Sequence, residues 1–63
     1  MTLKEQLKEM KKGCDIALLS LSADNEVRCR QYKNCASEIP KYLLEAEVME
    51  VNEEEDCTEI WIL

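Results

Sequence analysis

Two short segments of the chain are apolar at both odd and even positions. They are CDIALLSLS, residues 14–22, and TEIWIL, residues 58–63. Because successive side chains of a strand point to opposite faces of a sheet, such segments make both faces apolar. A fold built on them must cover two faces of one sheet, which limits the architectures open to the chain.

The chain offers little material for that cover. Thr2 followed by Glu5 is typical of a capping box, and Gly13 can take the left-handed conformation that ends a helix. Between them, one face of the segment carries Leu3, Leu7 and Met10. The pattern predicts a helix over residues 2–12, which can cover only one face of a small sheet.

Three further segments complete the predicted fold. EVRCRQY, residues 26–32, alternates as a half-buried strand does and follows the turn residues SADN. Pro40 can begin a short helix that ends at Leu44, and EAEVMEV, residues 45–51, predicts a third strand. We therefore expect a single α+β domain over residues 1–63. It has a small four-stranded, mostly antiparallel sheet with an N-terminal helix and a short helix between two β-hairpins.

The chain also resembles a group of small proteins. Its IPKYLLEAEV segment, acidic turn and hydrophobic terminal strand are similar to those of proteins from bacteriophages and other mobile elements of Gram-positive bacteria. The resemblance is a pattern over most of the chain, and that group has no established activity to carry over. It implies an accessory role for a phage or mobile element.

Charge is distributed unevenly along the chain, whose net charge is −6. Residues 1–37 carry seven Lys or Arg against five Asp or Glu, whereas residues 38–63 carry one against nine. A negative surface repels phosphate backbones and anionic lipid, so we expect neither direct nucleic-acid binding nor membrane binding. The N-terminal segment lacks the apolar run of a secretory signal, and we expect a cytoplasmic protein.

Several residue types that catalysis and metal binding require are missing. The chain has no histidine, hence no imidazole base or ligand, and its single glycine cannot form a phosphate-binding loop. The four cysteines are spaced C-x14-C-x5-C-x21-C, without the close pair of a structural zinc site. We expect a protein that is not an enzyme and has no metal or cofactor, with reduced cysteines that fill the core.

The acidic residues of the C-terminal half form a candidate partner surface. One interpretation is a solvated turn that keeps an apolar strand soluble. The other is mimicry of nucleic-acid phosphates toward a basic protein. The candidate residues are Glu47, Glu50, Glu53, Glu54, Glu55 and Asp56.

Trp61 is the residue on which the functional prediction depends. It shares a strand face with Leu63, opposite Ile60 and Ile62. Either it packs under the short helix with Tyr42 and Leu43, or it lies in an interface. We predict a small interaction protein that forms a homodimer and has a protein partner. The alternative is an acidic inhibitor, or nucleic-acid mimic, that blocks a nucleic-acid-handling protein. The candidate residues for self-association are Trp61, Leu63, Leu19 and Leu21.

Overall fold

The computed structural model describes all 63 residues, Met1–Leu63. Two short helices and four strands follow one another along the chain. They are α1 (Leu3–Lys8), β1 (Asp15–Leu21), β2 (Val27–Lys33), α2 (Lys41–Leu44), β3 (Val48–Glu53) and β4 (Thr58–Ile62). Neither helix is long and apolar enough to cross a membrane.

The predicted α+β class is confirmed, including the short helix between two hairpins. The strand directions need a correction, because the sheet is mixed and not mostly antiparallel. Its order is β2-β1-β4-β3, and the central strands β1 and β4 run parallel. These are the two strands that carry apolar residues on both faces. Because the hairpins are joined through them, the most apolar strands lie in the middle of the sheet.

The core lies between α1 and one face of the sheet. Leu3 and Leu7 of α1 are buried there, as are alternate residues of the two central strands. The connection after β2 adds a further aliphatic side chain. The cluster comprises Leu3, Leu7, Ile16, Leu18, Ile39, Ile60 and Ile62. Half-buried residues of α2 and β3 close its rim.

Helix α1 begins as predicted but ends earlier than expected. The Thr2 hydroxyl accepts from the Glu5 amide and the Glu5 carboxylate accepts from the Thr2 amide, as in a capping box. The helix ends at Lys8 instead of residue 12, although Gly13 does adopt a positive φ of 79°. After Lys8 the amides of Glu9 and Met10 donate to carbonyls three residues earlier, and Asn34 contacts the carbonyl groups at this end.

Asn34 is the one buried polar side chain in the protein. Its Nδ2 lies 2.8 to 3.2 Å from three carbonyl oxygens, among which its two hydrogens are shared. These oxygens belong to Leu7, Met10 and Lys11. Its backbone amide donates to the carbonyl of Cys14 at 2.8 Å, and its own carbonyl accepts from Gly13 at 3.1 Å. One side chain thus holds the end of α1 against the end of β2.

The first residues of the chain are attached to the start of β3. The Leu3 amide donates to Ala46 and the Val48 amide donates to Met1, so Thr2 and Glu47 form an isolated bridge. The Met1 amino group lies 2.7 Å from the Glu47 carboxylate, and this hydrogen bond raises the pKa of the amine. The N-terminus therefore continues the sheet beyond β3 for two residues.

We predict that Asn34→Ala lowers the free energy of unfolding by about 2 to 3 kcal/mol, because three carbonyl groups lose their donor in a largely buried place. A domain of this size has a total stability of only about 3 to 9 kcal/mol, so the loss is large. Urea denaturation followed by far-ultraviolet circular dichroism measures it.

Asn52→Ala is the matched control, because Asn52 is exposed and its amide reaches only the Glu50 carboxylate, at 3.4 Å. We expect this variant to stay within about 0.5 kcal/mol of the original protein. An equal effect of the two substitutions would contradict the role given to Asn34.

Candidate interaction surface

The face of the sheet opposite α1 is covered by no helix. Ile16, Leu18, Ile60 and Ile62 point into the core, so the residues that alternate with them point away from it. In β1 these are Asp15, Ala17, Leu19 and Leu21, and in β4 they are Glu59 and Trp61. We call this side of the sheet the open face.

Trp61 lies near the middle of the open face. It pairs across the sheet with Leu19 of β1 and with Glu50 of β3. The interpretation that it packs under the short helix is therefore wrong, because α2 lies on the other side of the sheet. There Leu43 packs against the core, while the Tyr42 side chain remains 73% exposed.

Apolar residues are concentrated in one half of the open face. Leu19 is buried and forms the floor of this region, where it is flanked in register by the exposed Cys29 and the half-buried Trp61. Leu21 and Val27 pair with each other and are 57% and 55% exposed. We define the apolar patch as Leu19, Leu21, Val27, Cys29 and Trp61. Three of the four candidates for self-association thus meet in one place.

Leu63, the fourth candidate, lies two residues after Trp61, directly beyond the end of β4. Its side chain is 82% exposed, and its amide donates to the Glu47 carbonyl at 3.0 Å. It therefore extends the apolar patch, but its side chain is not packed against the other residues of the patch.

The expectation that the cysteines fill the core is wrong for Cys29 and Cys35, which are exposed. Cys14 does pack against the core.

The other half of the open face contains an acidic recess of about 480 Å³. It lies where the turn between β3 and β4 folds over the start of β4. Its lining residues are Ala17, Glu54, Glu55, Asp56, Cys57 and Glu59. Carboxylates outnumber every other group there, and no basic residue lines the recess.

The predicted acidic surface is only partly assembled. Glu54, Glu55 and Asp56 line the recess, and Glu50 lies on the same face beside Trp61. The other two candidates lie elsewhere. Glu53 pairs with Thr58 and points to the side of the sheet that the helices cover, and Glu47 forms an ion pair with the N-terminal amine. The acids form separate groups and not one continuous stripe.

Cys57 differs from the other thiols in its electrostatic surroundings. Partial burial is the largest of the effects that raise the pKa of Cys57. The nearby carboxylates of Glu59, Glu54 and Asp56 raise this pKa further. Because the thiolate is the reactive form, this environment makes Cys57 a poor nucleophile. All four cysteines are free thiols, and no group of three or more potential ligands is placed to hold a metal ion.

A smaller recess lies on the helix side of the sheet, beyond the end of α2. Arg28 and Arg30 form one wall, next to Ser20 and Tyr42, and its volume is about 200 Å³. The alternation of EVRCRQY is enough to put the two arginines on one face of their strand. Their meeting with Tyr42 was not predicted, because it depends on how the connection after β2 folds back.

Comparison of the chain with the models of known protein families, with curated proteins and with solved structures found no match.

We predict that replacing Glu54 and Glu55 together with Gln changes the free energy of unfolding by less than about 0.5 kcal/mol, because both side chains are exposed. Urea denaturation tests the change, with Lys11→Gln and Lys12→Gln together as a surface control. A loss of more than about 1 kcal/mol would show that the turn contributes to the fold beyond staying hydrated.

The second prediction for this surface concerns thiol chemistry. At pH 8 we expect iodoacetamide to alkylate Cys57 more slowly than the exposed Cys35, as measured by peptide mass spectrometry over time. Glu59→Gln lowers the pKa of Cys57 and should raise its rate about twofold or more. The rate should remain below that of Cys35, because partial burial persists.

Glu9→Gln provides the control for this measurement, since Glu9 caps the end of α1 and is not among the groups that shift the Cys57 pKa. Equal rates for Cys57 and Cys35 in the unaltered protein would refute the interpretation.

Proposed function

We propose that this protein is a small, cytoplasmic, non-enzymatic interaction module that forms a homodimer through the open face. The observation that carries the proposal is the apolar patch, which places Trp61 and four smaller apolar residues on a side of the sheet that no helix covers. Exposed patches of this kind in small soluble proteins usually mark interaction sites. A tryptophan at the centre is typical of the residues that anchor an interface.

A second copy of the chain fits the layout of this face. A twofold axis in the plane of the face, parallel to the strands and midway between β1 and β4, sets β1 of one copy against β4 of the other. Leu19 then meets Trp61 of the second copy, and Leu21 meets Leu63. The apolar residues of β1 and β4 thus face each other without any change in strand register, whereas Cys29 of β2 lies opposite Glu50 of the second copy.

The same axis also matches charges at the rim. It sets β2 of one copy against β3 of the other, so Lys33 lies opposite the turn that begins at Glu54. Lys33 is 60% exposed, with Asp15 as its partner within the chain. Two copies of charge −6 repel each other, but salt screens charges at the rim over about 8 to 10 Å. The arrangement is therefore compatible with the net charge.

The size of the face sets the expected affinity. Four strands about 4.8 Å apart present a face about 19 Å wide. Strands of five to seven residues at about 3.3 Å per residue make it about 20 Å long, so its area of about 400 Å² is roughly half of the 800 Å² per partner of a standard interface. We therefore expect a weak dimer, with a dissociation constant of about 10 to 100 μM, which corresponds to roughly 6 kcal/mol.

The acidic inhibitor or nucleic-acid mimic is the second candidate function. The acidic recess beside Trp61 supports it, since a basic protein could contact Glu50, Glu54 and Asp56 together with the apolar patch. The separation of the acids into groups favours the self-associating module. In either case, the resemblance to phage and mobile-element proteins of Gram-positive bacteria is part of the proposal and suggests an accessory role.

We predict that Leu21→Glu and Trp61→Glu each weaken the dimer about 30-fold or more, because each buries an unpaired charge and removes apolar contact worth about 2 kcal/mol. Sedimentation equilibrium at 10 to 500 μM, about the expected range, measures the association. Leu21 is largely exposed within one chain, so its substitution should leave the fold intact.

Tyr42→Glu is the matched control, since Tyr42 is an exposed large side chain on the opposite side of the sheet. It adds the same charge and should leave the association unchanged. An unaltered protein that is monomeric throughout this range would refute the proposal, as would an equal effect of all three substitutions.

A further inference from the structure

The recess formed by Arg28 and Arg30 concentrates positive charge in an acidic protein. Neither guanidinium has a carboxylate within salt-bridge distance, since the ion pairs of the chain are Met1 with Glu47 and Lys33 with Asp15. None of the residues that line the recess is acidic. Two arginines therefore share one concave wall without an internal counter-ion.

The strand geometry aims both side chains at the same space. Arg28 pairs across the sheet with Ser20, and Arg30 pairs with Leu18, so both stand on the helix side of β2. Residues two apart on a strand lie about 6.6 Å from each other, a distance that lets two long side chains converge on one anion. Ser20 and Tyr42 are the other lining residues with polar groups, and the rest of the lining is apolar, from Leu18, Leu43 and Ile62.

The donors in this recess match a phosphate group better than a single carboxylate. Each guanidinium presents a planar fork of N–H groups, and the lining residues Ser20 and Tyr42 each carry a hydroxyl group that can act as a further donor. A phosphate monoester carries close to two negative charges at neutral pH and has three terminal oxygens, so it can accept from both forks at once. A carboxylate has only two oxygens and can satisfy one fork.

The volume of the recess limits what can carry that group. At about 200 Å³ it is smaller than the roughly 300 to 1,000 Å³ of sites for whole small-molecule ligands. The recess is large enough for the phosphate itself and for the first atoms of its carrier. We propose that Arg28, Arg30, Ser20 and Tyr42 form a binding site for a phosphate monoester group.

This site goes beyond the proposed dimer and is independent of it. The recess lies on the helix side of the sheet, whereas the apolar patch lies on the open face. The protein can therefore bind a phosphate group and a second copy of itself at the same time. Because the protein as a whole is negative, general attraction of anions is unfavourable, and saturable phosphate binding would reflect the local site.

The test is a titration of the ¹⁵N-labelled protein, followed by amide chemical shifts. Inorganic phosphate is added at pH 7.5 while sodium chloride keeps the ionic strength constant. We expect saturable shifts at Ser20, Arg28, Arg30 and Tyr42, with a dissociation constant of about 1 to 10 mM. Arg28→Gln combined with Arg30→Gln should weaken binding about tenfold or more, because the charge-assisted hydrogen bonds are lost.

Lys4→Gln combined with Lys12→Gln is the matched control. It changes the net charge equally and alters a different recess, of about 540 Å³, that lies along α1. We expect this variant to bind phosphate as the unaltered protein does. The dispersion of the amide signals in each spectrum shows whether the variant is folded.

A second arm identifies the source of the phosphate group. A short phosphoserine peptide is compared with inorganic phosphate and with the same peptide lacking phosphate. Tighter binding of the phosphopeptide, with added shifts along β2, indicates a phosphorylated chain. Equal binding indicates a small free phosphate, and both results support the site.

Two outcomes would overturn the proposal. One is a linear response without saturation up to about 50 mM phosphate, several times the dissociation constant expected for two charge-assisted contacts. The other is binding that survives loss of both arginines, or that disappears in the lysine control instead.

Discussion

The parallel pairing of β1 with β4 is the contact on which the other features of this protein depend. It joins two hairpins through their most apolar strands, and so creates one face that α1 can cover and one that it cannot. Ile16, Leu18 and Ile60 lie under the helix, and Leu19 and Trp61 lie outside. The core and the candidate interface are thus two sides of the same pair of strands.

Local patterns were sufficient for the elements but not for their arrangement. Thr2 and Glu5 mark the start of α1 because their effects act on neighbouring backbone groups, whereas Gly13 lies beyond the end of the helix at Lys8. The role of Asn34 cannot be read from a local pattern, since its acceptors lie 23 to 27 positions away in the chain. The parallel pairing was missed for a related reason, because no local pattern states which strands will become neighbours.

The candidate surfaces show the same division. Strand alternation was enough to place Trp61 opposite Ile60 and Ile62. It could not show that Glu53 and Glu47 are separated from the other acids, because that depends on the pairing of β3 and on the N-terminus. The meeting of Arg28 and Arg30 with Tyr42 depends on a connection of irregular structure, whose path no periodic pattern describes.

The attachment of the first two residues to β3 has a consequence for how the sheet can grow. A sheet with two free edges can add strands on both sides and build an open fibre. Here Met1 and Thr2 occupy the start of one edge, and a bulge between Val48 and Glu50 distorts the strand beyond it. Only β2 presents a regular edge that is free along its whole length, so edge-to-edge pairing is favoured there, between two copies, over addition of strands at β3.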